Sequence, residues 1–292
     1  MLNFKKIEID DIETYKKYTS DNSELSCENS FVNLIVWQCT YNNMLAVSDG
    51  QLYIKSGSGD RETFRLPFGS DFEKGFFEIQ KYCGDKSPVF WAQEGPAFEL
   101  LKKNHPQYRF FENRDAFDYI YLQSDLSTLS GKKYHSKRNH INAFSNKFDW
   151  RYEKINASNI EAVRSCAEQW YSENTERADS YMMCEKRGVE TILSNMEKLE
   201  VSGGAVITGG KVVAFTLGSQ INSQVFDIHI EKALKDYAEA YTVINQQFAQ
   251  NELSAYKYIN REDDMGLEGL RKAKLSLKPF LLLKKYRCSV EG

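Results

Sequence analysis

Short hydrophobic and polar stretches alternate along the first half of the chain, and each stretch favours a strand or a helix. Apolar-rich runs over 44–47 and 51–55 flank Ser48-Asp49-Gly50, which predicts a β-hairpin with a tight turn. The same patterns predict further strands at 4–9, 62–66, 89–92, 108–111 and 116–122, and helices over 10–19, 28–37, 72–82 and 97–104.

The second half of the chain repeats this order of elements. We predict strands at 150–154, 204–208, 212–220, 225–231, 256–259 and 280–286, helices over 159–171, 188–199 and 237–250, and a basic helix after residue 264. The turn Gly209-Gly210 lies where Asp49-Gly50 lies in the first half. Two helices, an antiparallel hairpin and then strand–helix–strand resemble the layout of the Gcn5-related N-acetyltransferase (GNAT) fold.

We therefore predict an α+β, mixed α/β fold of two tandem acetyltransferase-like domains, each a mixed, mainly antiparallel sheet flanked by helices. Residues 1–125 would form the N-terminal domain, 126–148 a basic linker helix, and 149–292 a C-terminal domain that carries the active site. One large mixed α/β domain is the alternative.

The strand over 224–231 separates apolar from ionisable side chains. Its ionisable residues, Asp227, His229 and Glu231, alternate with Phe226, Ile228 and Ile230 and therefore share one face. Three ionisable groups on a central strand are costly unless they line a wet cleft. We predict that they are catalytic, with His229 as a general base or as an anchor for a substrate amine. An edge strand with a solvated polar face is the alternative.

Charge is segregated along the chain, although the net charge is only -3. Stretches 126–148 and 269–290 contain five and seven basic residues and no acidic residue. Such stretches favour binding of an anion such as an RNA backbone, and a solvated linker helix is the alternative for 131–144. The residues predicted to bind the anion are Lys132, Lys133, Lys137, Arg138, Arg271, Lys272 and Lys274.

The sequence disfavours several cofactors. Acetyltransferases of this fold bind the pyrophosphate of acetyl-CoA at a glycine-containing turn before a helix, but the matching stretch, 234–240, has no glycine and contains Asp236 and Glu239. Acetyl-CoA is therefore disfavoured, and we predict no cofactor. The six cysteines and four histidines show no metal-ligand spacing, so we predict no metal ion.

The cellular location follows from cysteine usage and from the absence of long apolar runs. Isolated cysteines are typical of buried thiols in a reducing compartment. No apolar run approaches the ~20 residues that span a bilayer. We predict a soluble, cytoplasmic protein without a transmembrane segment.

Three segments carry a resemblance to a known family: GKKYHSKRNHINAF (131–144), DIHIEKA (227–233) and NREDDMGLEGLRKAK (260–274). They are similar to the soluble family related to the C-terminal domain of phosphatidylglycerol lysyltransferase. That resemblance implies tandem acetyltransferase-like domains akin to the Fem peptidyltransferases. The membrane-bound relatives move an amino acid from aminoacyl-tRNA to a phospholipid head group and use no CoA.

The resemblance implies an enzyme of the aminoacyltransferase class that takes an aminoacyl group from aminoacyl-tRNA. The acceptor would be an amine or hydroxyl on a small molecule, a peptide or a lipid head group. The residues expected to bind the substrates are Asn260, Arg261, Glu262, Asp264 and Tyr241. An N-acyltransferase that uses acyl-CoA and a non-catalytic module that binds RNA or another anionic ligand are the alternatives.

Overall fold

Two seven-stranded sheets organise the part of the chain that the computed structural model describes, residues 1–19, 23–174 and 179–290. The strands are β1 (Lys5–Lys6), β2 (Met44–Ser48), β3 (Gln51–Ser56), β4 (Thr63–Phe64), β5 (Phe90–Gln93), β6 (Arg109–Glu112), β7 (Asp118–Leu122), β8 (Trp150–Lys154), β9 (Ser202–Thr208), β10 (Lys211–Asn222), β11 (Val225–Ala233), β12 (Tyr258–Asn260), β13 (Leu281–Leu283) and β14 (Lys285–Ser289).

Helices flank both sheets. They are α1 (Ile12–Thr19), α2 (Phe31–Val36), α3 (Gln38–Tyr41), α4 (Phe72–Cys83), α5 (Pro96–Asn104), α6 (Gln123–Thr128), α7 (His135–Lys147), α8 (Ile160–Glu173), α9 (Ser180–Ser194), α10 (Ala240–Glu252) and α11 (Glu268–Ser276). None of the helices in the described ranges is both long and apolar enough to cross a lipid bilayer.

Both sheets have the same strand arrangement. The first has the order β1-β2-β3-β4-β5-β14-β6, and the second has the order β8-β9-β10-β11-β12-β7-β13. In each sheet the fourth and fifth strands, β4 with β5 and β11 with β12, are parallel, and the other neighbours are antiparallel. The predicted fold class, two mixed and mainly antiparallel sheets flanked by helices, is confirmed.

Each half of the chain supplies one strand to the other half's sheet. β14 lies between β5 and β6 in the first sheet, and β7 lies between β12 and β13 in the second. The single last strand predicted over 280–286 is wrong, because the chain leaves the second sheet after Leu283 and enters the first at Lys285. The domain boundaries at residues 125 and 148 stay a prediction, since the two sheets share strands across them.

The two predicted hairpins are confirmed. Ser48 pairs with Gln51, and Thr208 pairs with Lys211, so each turn has two residues. The backbone φ angle is +51° and +77° at Asp49 and Gly50, and +56° and +76° at Gly209 and Gly210. Two successive positive φ angles match the twist of the flanking strands, which is why Asp-Gly and Gly-Gly occur here.

The largest hydrophobic core joins the two halves. It contains Leu34 from α2 together with Val163 and Phe215 from α8 and β10. Helix α9 packs closely on α2 because position 188 is glycine: a β-carbon there would lie 2.9 Å from the Cα atom of Val36. Burial of one continuous apolar surface therefore couples the folding of both halves.

Two cysteines contradict the expectation of isolated thiols. Cys39 of α3 and Cys184 of α9 form a disulfide with a Cα–Cα distance of 5.8 Å, across 145 sequence positions. Sequence spacing carries no signal for such a bond, because helix packing alone brings the two residues together. Disulfides persist mainly in oxidising compartments, so this bond does not support the predicted reducing compartment. The cytoplasmic location stays a prediction.

Candidate active site

The strands β11 and β12 separate at the centre of the second sheet. Their parallel pairing ends at Asp227 and Asn260, and β11 then continues to Ala233 while β12 stops. A cavity of about 710 Å³ lies against this opening and is lined by both halves of the chain. This is a volume typical of small-molecule sites. Six of its lining residues are Trp37, Tyr41, Arg65, His229, Arg261 and Glu262.

His229 lies at the centre of a buried polar cluster. Its Nδ1 atom is 3.0 Å from Glu262 Oε1 and 3.4 Å from Asp227 Oδ2, and its Nε2 atom is 2.8 Å from Ser219 Oγ. The side chains of Asp227, His229 and Glu262 are 0%, 1% and 15% exposed. The predicted proximity of Asp227 and His229 is therefore observed, but Glu262 completes the cluster.

The Asp227 carboxylate has no hydrogen-bond partner among the described residues, although both of its oxygens are buried. Burial raises the pKa of this carboxyl well above its usual value, and the negative charges of Glu262 and Asp118 raise it further. The positive charges of Lys285 and Lys274 lower the pKa of Asp227 but do not outweigh these effects. The cluster is therefore a place where an added positive charge is stabilised.

Glu231 lies further along the opening and forms an ion pair with Arg261. The Arg261 Nη2 and Glu231 Oε1 atoms are 2.5 Å apart. Arg261 Nε is buried and has no partner among the described residues. Burial lowers the pKa of Lys137, and the charge of Arg261 lowers it further, so a cation from α7 lies near this pair. The three groups give this end of the opening an excess of positive charge.

Residues that sequence reasoning missed hold the cluster in place. Ser30, the N-cap of α2, lies 3.5 Å from His229 Nε2, and Asn33 Nδ2 donates a hydrogen bond to Glu262 at 3.1 Å. Ser219 comes from β10, next to an irregularity in its pairing with β11. An N-cap signal at Ser30 is visible in the sequence, but its contact with a histidine about 200 positions away is not.

A second buried charge cluster borders the same cavity, and its members Cys27, Glu28 and Arg65 help to line it. Lys285 Nζ is 2.7 Å from Asp118 Oδ1, 3.1 Å from Glu28 Oε1 and 3.2 Å from Cys27 Sγ. Burial alone would raise the pKa of Glu28, but the charges of Arg65 and Lys285 lower it to about 2. A network of paired charges thus links Lys285, at the end of the second half, to Glu28 and Asp118 in the first half.

Three of the predicted substrate-binding residues lie outside the cavity lining as far as the chain is described. Asn260 is buried, donates to Asp118 and accepts a hydrogen bond from the Glu262 N–H at 2.6 Å, so it orients the turn that carries Glu262. Asp264 is buried 2.5 Å from the Tyr119 hydroxyl. The Tyr241 hydroxyl accepts a hydrogen bond from Trp170 Nε1 at 3.0 Å. Arg261 and Glu262 do line the cavity.

The predicted basic helix over 131–144 is present as a 3₁₀ turn, Lys132–Tyr134, followed by α7. Lys133 pairs with Asp125 at 2.8 Å, and Arg138 donates to the backbone carbonyl groups of Leu129 and Gly131. Lys132 is exposed and Lys137 is half-buried, and neither has a carboxylate within 4 Å among the described residues. Lys132 in the 3₁₀ turn and Lys137 in α7 are therefore available to contact an anion.

The predicted basic residues of α11 are largely neutralised. Arg271 bonds to Asp264 at 2.8 Å and to Asp115 at 2.6 Å, and Lys272 pairs with Glu268 at 2.6 Å. Lys274 is buried and donates to the backbone carbonyl groups of Arg261 and Asp263. It fixes the turn at residues 261–263 rather than presenting a charge to solvent.

Comparison with a family model decides the classification. The model of the phosphatidylglycerol lysyltransferase C-terminal family matches residues 22–289. The chain belongs to this family. A conserved protein of unknown function from Bacteroides thetaiotaomicron is 36% identical and superposes with a TM-score of 0.91, and 99% of each chain is covered.

More distant structures share the fold of this family member. The C-terminal domain of a candidate lysylphosphatidylglycerol synthetase from Agrobacterium fabrum is 13% identical with a TM-score of 0.68, covering 97% of this chain and 92% of that one. FemX is 8% identical with a TM-score of 0.61, covering 98% and 96%. At these identities the likeness shows the fold alone. The predicted resemblance and the tandem acetyltransferase-like fold are confirmed.

A curated relative shares only part of its length with the chain. An uncharacterized protein of Mycoplasmoides gallisepticum is 24% identical over 180 residues, which are 59% of this chain and 56% of that protein. The chain thus spans about half the length of this relative. Family and fold together point to an aminoacyltransferase-type domain.

Proposed function

We propose that this protein moves an aminoacyl group from aminoacyl-tRNA to an amine or hydroxyl acceptor. Membership of a lysyltransferase family supports the class of reaction. The observation that carries the proposal is the Asp227–His229–Glu262 cluster, which lies where β11 and β12 separate and borders a cavity shared by both halves. No step of the reaction requires acetyl-CoA, in keeping with the glycine-free stretch before α10.

The reaction is aminolysis or alcoholysis of an activated ester. The acceptor nitrogen or oxygen forms a bond to the ester carbonyl carbon, and the bond to the terminal ribose oxygen of the tRNA breaks. The acceptor loses one proton, and the leaving ribose oxygen gains one. Such a reaction needs mainly positioning and a base.

The chain's own residues supply those two requirements. Glu262 and His229 line the cavity and share a hydrogen bond, so this pair takes the acceptor proton. Asp227 lies behind His229 and stabilises positive charge on the imidazole ring. Glu231, which also lines the cavity, offers a carboxylate to a protonated amine and keeps Arg261 in place.

The tRNA side of the proposal rests on α7 and Arg261. Lys132 and Lys137 have no carboxylate partner within 4 Å among the described residues. Arg261 lines the cavity, and its charge acts on Lys137. Phosphate contacts made by such residues weaken as salt displaces them. The binding energy of aminoacyl-tRNA should therefore fall between low and moderate salt.

Filter binding of aminoacyl-tRNA at low and moderate salt tests this assignment. We expect the double variant Lys132→Glu/Lys137→Glu to weaken binding about tenfold or more at low salt and to reduce the salt dependence. Lys103→Glu on α5, an exposed lysine of the first half, is the matched control and should bind like the wild type. Equal affinity for the double variant and its control would contradict the proposed tRNA surface.

A further inference from the structure

Two donor-atom distances in the group Asp227, His229 and Glu262 match those between ligands of one metal ion. One ligand atom from each residue lies within 4.8 Å of the other two. The distances from His229 Nδ1 to the two carboxylates are 3.0 and 3.4 Å. Two donors that are each ~2.0–2.2 Å from one ion, at octahedral or tetrahedral angles, are about 2.8–3.6 Å apart.

The Asp227 carboxylate supplies a second, independent observation. It is completely buried, and neither oxygen has a hydrogen-bond partner among the described residues. A buried carboxylate without a partner is costly, and a cation removes that cost. The Asp227 Oδ2 atom lies 3.4 Å from the ring nitrogen that Glu262 also contacts, so one ion between the three side chains reaches it.

The surroundings of His229 favour ligation through Nδ1. The opposite nitrogen, Nε2, is 2.8 Å from Ser219 Oγ, and this hydroxyl can accept the Nε2 hydrogen and fix the tautomer. Metal-binding histidines commonly donate their second N–H in this way. Asn33 donates to Glu262 from outside the cluster and orients the third ligand.

We propose that Asp227, His229 and Glu262 bind one divalent transition-metal ion such as Zn²⁺ or Mn²⁺. An imidazole nitrogen with two carboxylates suits these ions better than Mg²⁺ or Ca²⁺, which prefer oxygen ligands. No metal-ligand spacing is visible in the sequence, because Glu262 follows β12 and lies 33 positions beyond His229. The site goes beyond the proposed transfer reaction, which requires no metal. An ion here competes with proton transfer to the Glu262–His229 pair.

Lys285 and Lys274 act on the cluster, but they do not cancel its attraction for a cation. Lys285 is held by Asp118 and Glu28, and Lys274 by two backbone carbonyl groups. The charge of Lys285 is therefore largely compensated by carboxylates before an ion enters. Two carboxyl groups and an imidazole nitrogen form the ligand set, and such a set favours a dication.

Calorimetric titration of the chelator-treated full chain with ZnCl₂, MnCl₂ and MgCl₂ tests the site. We expect one equivalent of Zn²⁺ or Mn²⁺ to bind and Mg²⁺ to bind at least about tenfold more weakly. Asp227→Asn and Glu262→Gln, which keep side-chain shape, should each abolish the strong site. Ser219→Ala should weaken it about 10–100-fold, as removal of an outer hydrogen-bond partner does.

His140→Gln on α7 is the matched control, because it removes an exposed histidine that can bind metal adventitiously. Its Zn²⁺ titration should match the wild type, and circular dichroism should show all variants folded. The proposal is overturned if no transition metal binds at millimolar concentration, or if Asp227→Asn binds like the wild type. Saturable binding of methylammonium without any metal binding also overturns it and assigns the cluster to an amine. Aminoacyl transfer is measured separately, so either proposal can fail alone.

Discussion

Lys285 is a buried cation near the C-terminus whose partners come from the first half of the chain. Its amino group lies between Asp118, Glu28 and Cys27, and its neighbour Lys284 is exposed and pairs with Glu112. Removing one partner of a buried pair leaves an uncompensated charge, whereas an exposed pair contributes little. Substituting each of these two adjacent lysines therefore separates the effect of burial from the effect of removing a charge.

Substitution Lys285→Met should lower the free energy of unfolding by about 3–5 kcal/mol, because Asp118 and Glu28 lose their shared cation. Lys284→Met should change it by less than about 1 kcal/mol. Urea denaturation of both variants measures the difference. The double variant Lys285→Met/Asp118→Asn should recover part of the loss, and equal losses for the two single variants would contradict the role given to Lys285.

The raised pKa of Asp263 predicts that the stability of the protein depends on pH. Burial raises this pKa to about 6, against the opposing charges of Lys285 and Lys274. The pKa in the unfolded chain is about 3.9, so the folded state binds the proton more tightly, and the stability that this carboxyl contributes falls as pH rises from about 4 to 6. The unfolding free energy of the wild type relative to Asp263→Asn should fall by about 1–3 kcal/mol between pH 4 and pH 7. Denaturation at a series of pH values measures this difference in unfolding free energy. A difference that does not change with pH would contradict the prediction.

The pairing of β10 with β11 places Ser219 and Asp227 beside His229. Their register shifts between Leu217 and Gly218, and a β-carbon at Gly218 would lie 2.3 Å from the backbone oxygen of Asp227. Glycine is therefore required for the two strands to approach each other at the cluster. Gly269 in α11 has open space around it.

Gly218→Ala should destabilise the protein by about 1–3 kcal/mol, because the strands must move apart. Gly269→Ala should stabilise it by about 0.4–1 kcal/mol, because it only restricts the unfolded chain. Thermal unfolding of both variants gives the comparison. A Gly218→Ala variant as stable as the wild type would show that the strands tolerate a wider spacing.

Elements with a strong local pattern were predictable from the sequence. The alternation over 224–231, the turns Asp49-Gly50 and Gly209-Gly210 and the helix over 131–144 all have local signals, and the structure contains each of them. Long-range partners have no such signal. The contact of Glu262 with His229 depends on where β12 ends and how the following turn bends, and the backbone φ of Glu262 is +55°.

The long-range partners of the basic stretches also have no signal in the sequence. A run of lysines and arginines predicts exposed charge, yet Lys274 and Lys285 are buried and Arg271 is paired twice. Their carboxylate and carbonyl partners lie in other elements. Segregation of charge along a sequence therefore does not fix its distribution in space.

At the scale of the whole molecule, the exchange of β7 and β14 makes the two sheets depend on each other. The first sheet needs β14 between β5 and β6, and the second needs β7 between β12 and β13. The largest core and the cavity also draw residues from both halves. Neither half contains a complete sheet or a complete site.

Residues 1–148 and 149–292 expressed separately should each fail to fold cooperatively, because each sheet would have an open gap and exposed apolar surface. Co-expression of the two pieces should give a soluble complex that unfolds in one transition. Size-exclusion chromatography and calorimetry measure both outcomes. A sharp unfolding transition from either piece alone would favour independent domains with the boundaries predicted from the sequence.

Transfer of a labelled amino acid tests the proposed reaction directly. The full chain is incubated with aminoacyl-tRNA labelled in its amino acid and a panel of amine, peptide and lipid head-group acceptors. We expect the label to move from tRNA to one acceptor class. Glu262→Gln should reduce the rate by about 10²–10⁴-fold, as loss of a base does, and Lys103→Glu should leave it unchanged. Label that stays on tRNA at the uncatalysed rate, with saturable binding of acetyl-CoA instead, would contradict the proposed aminoacyl transfer.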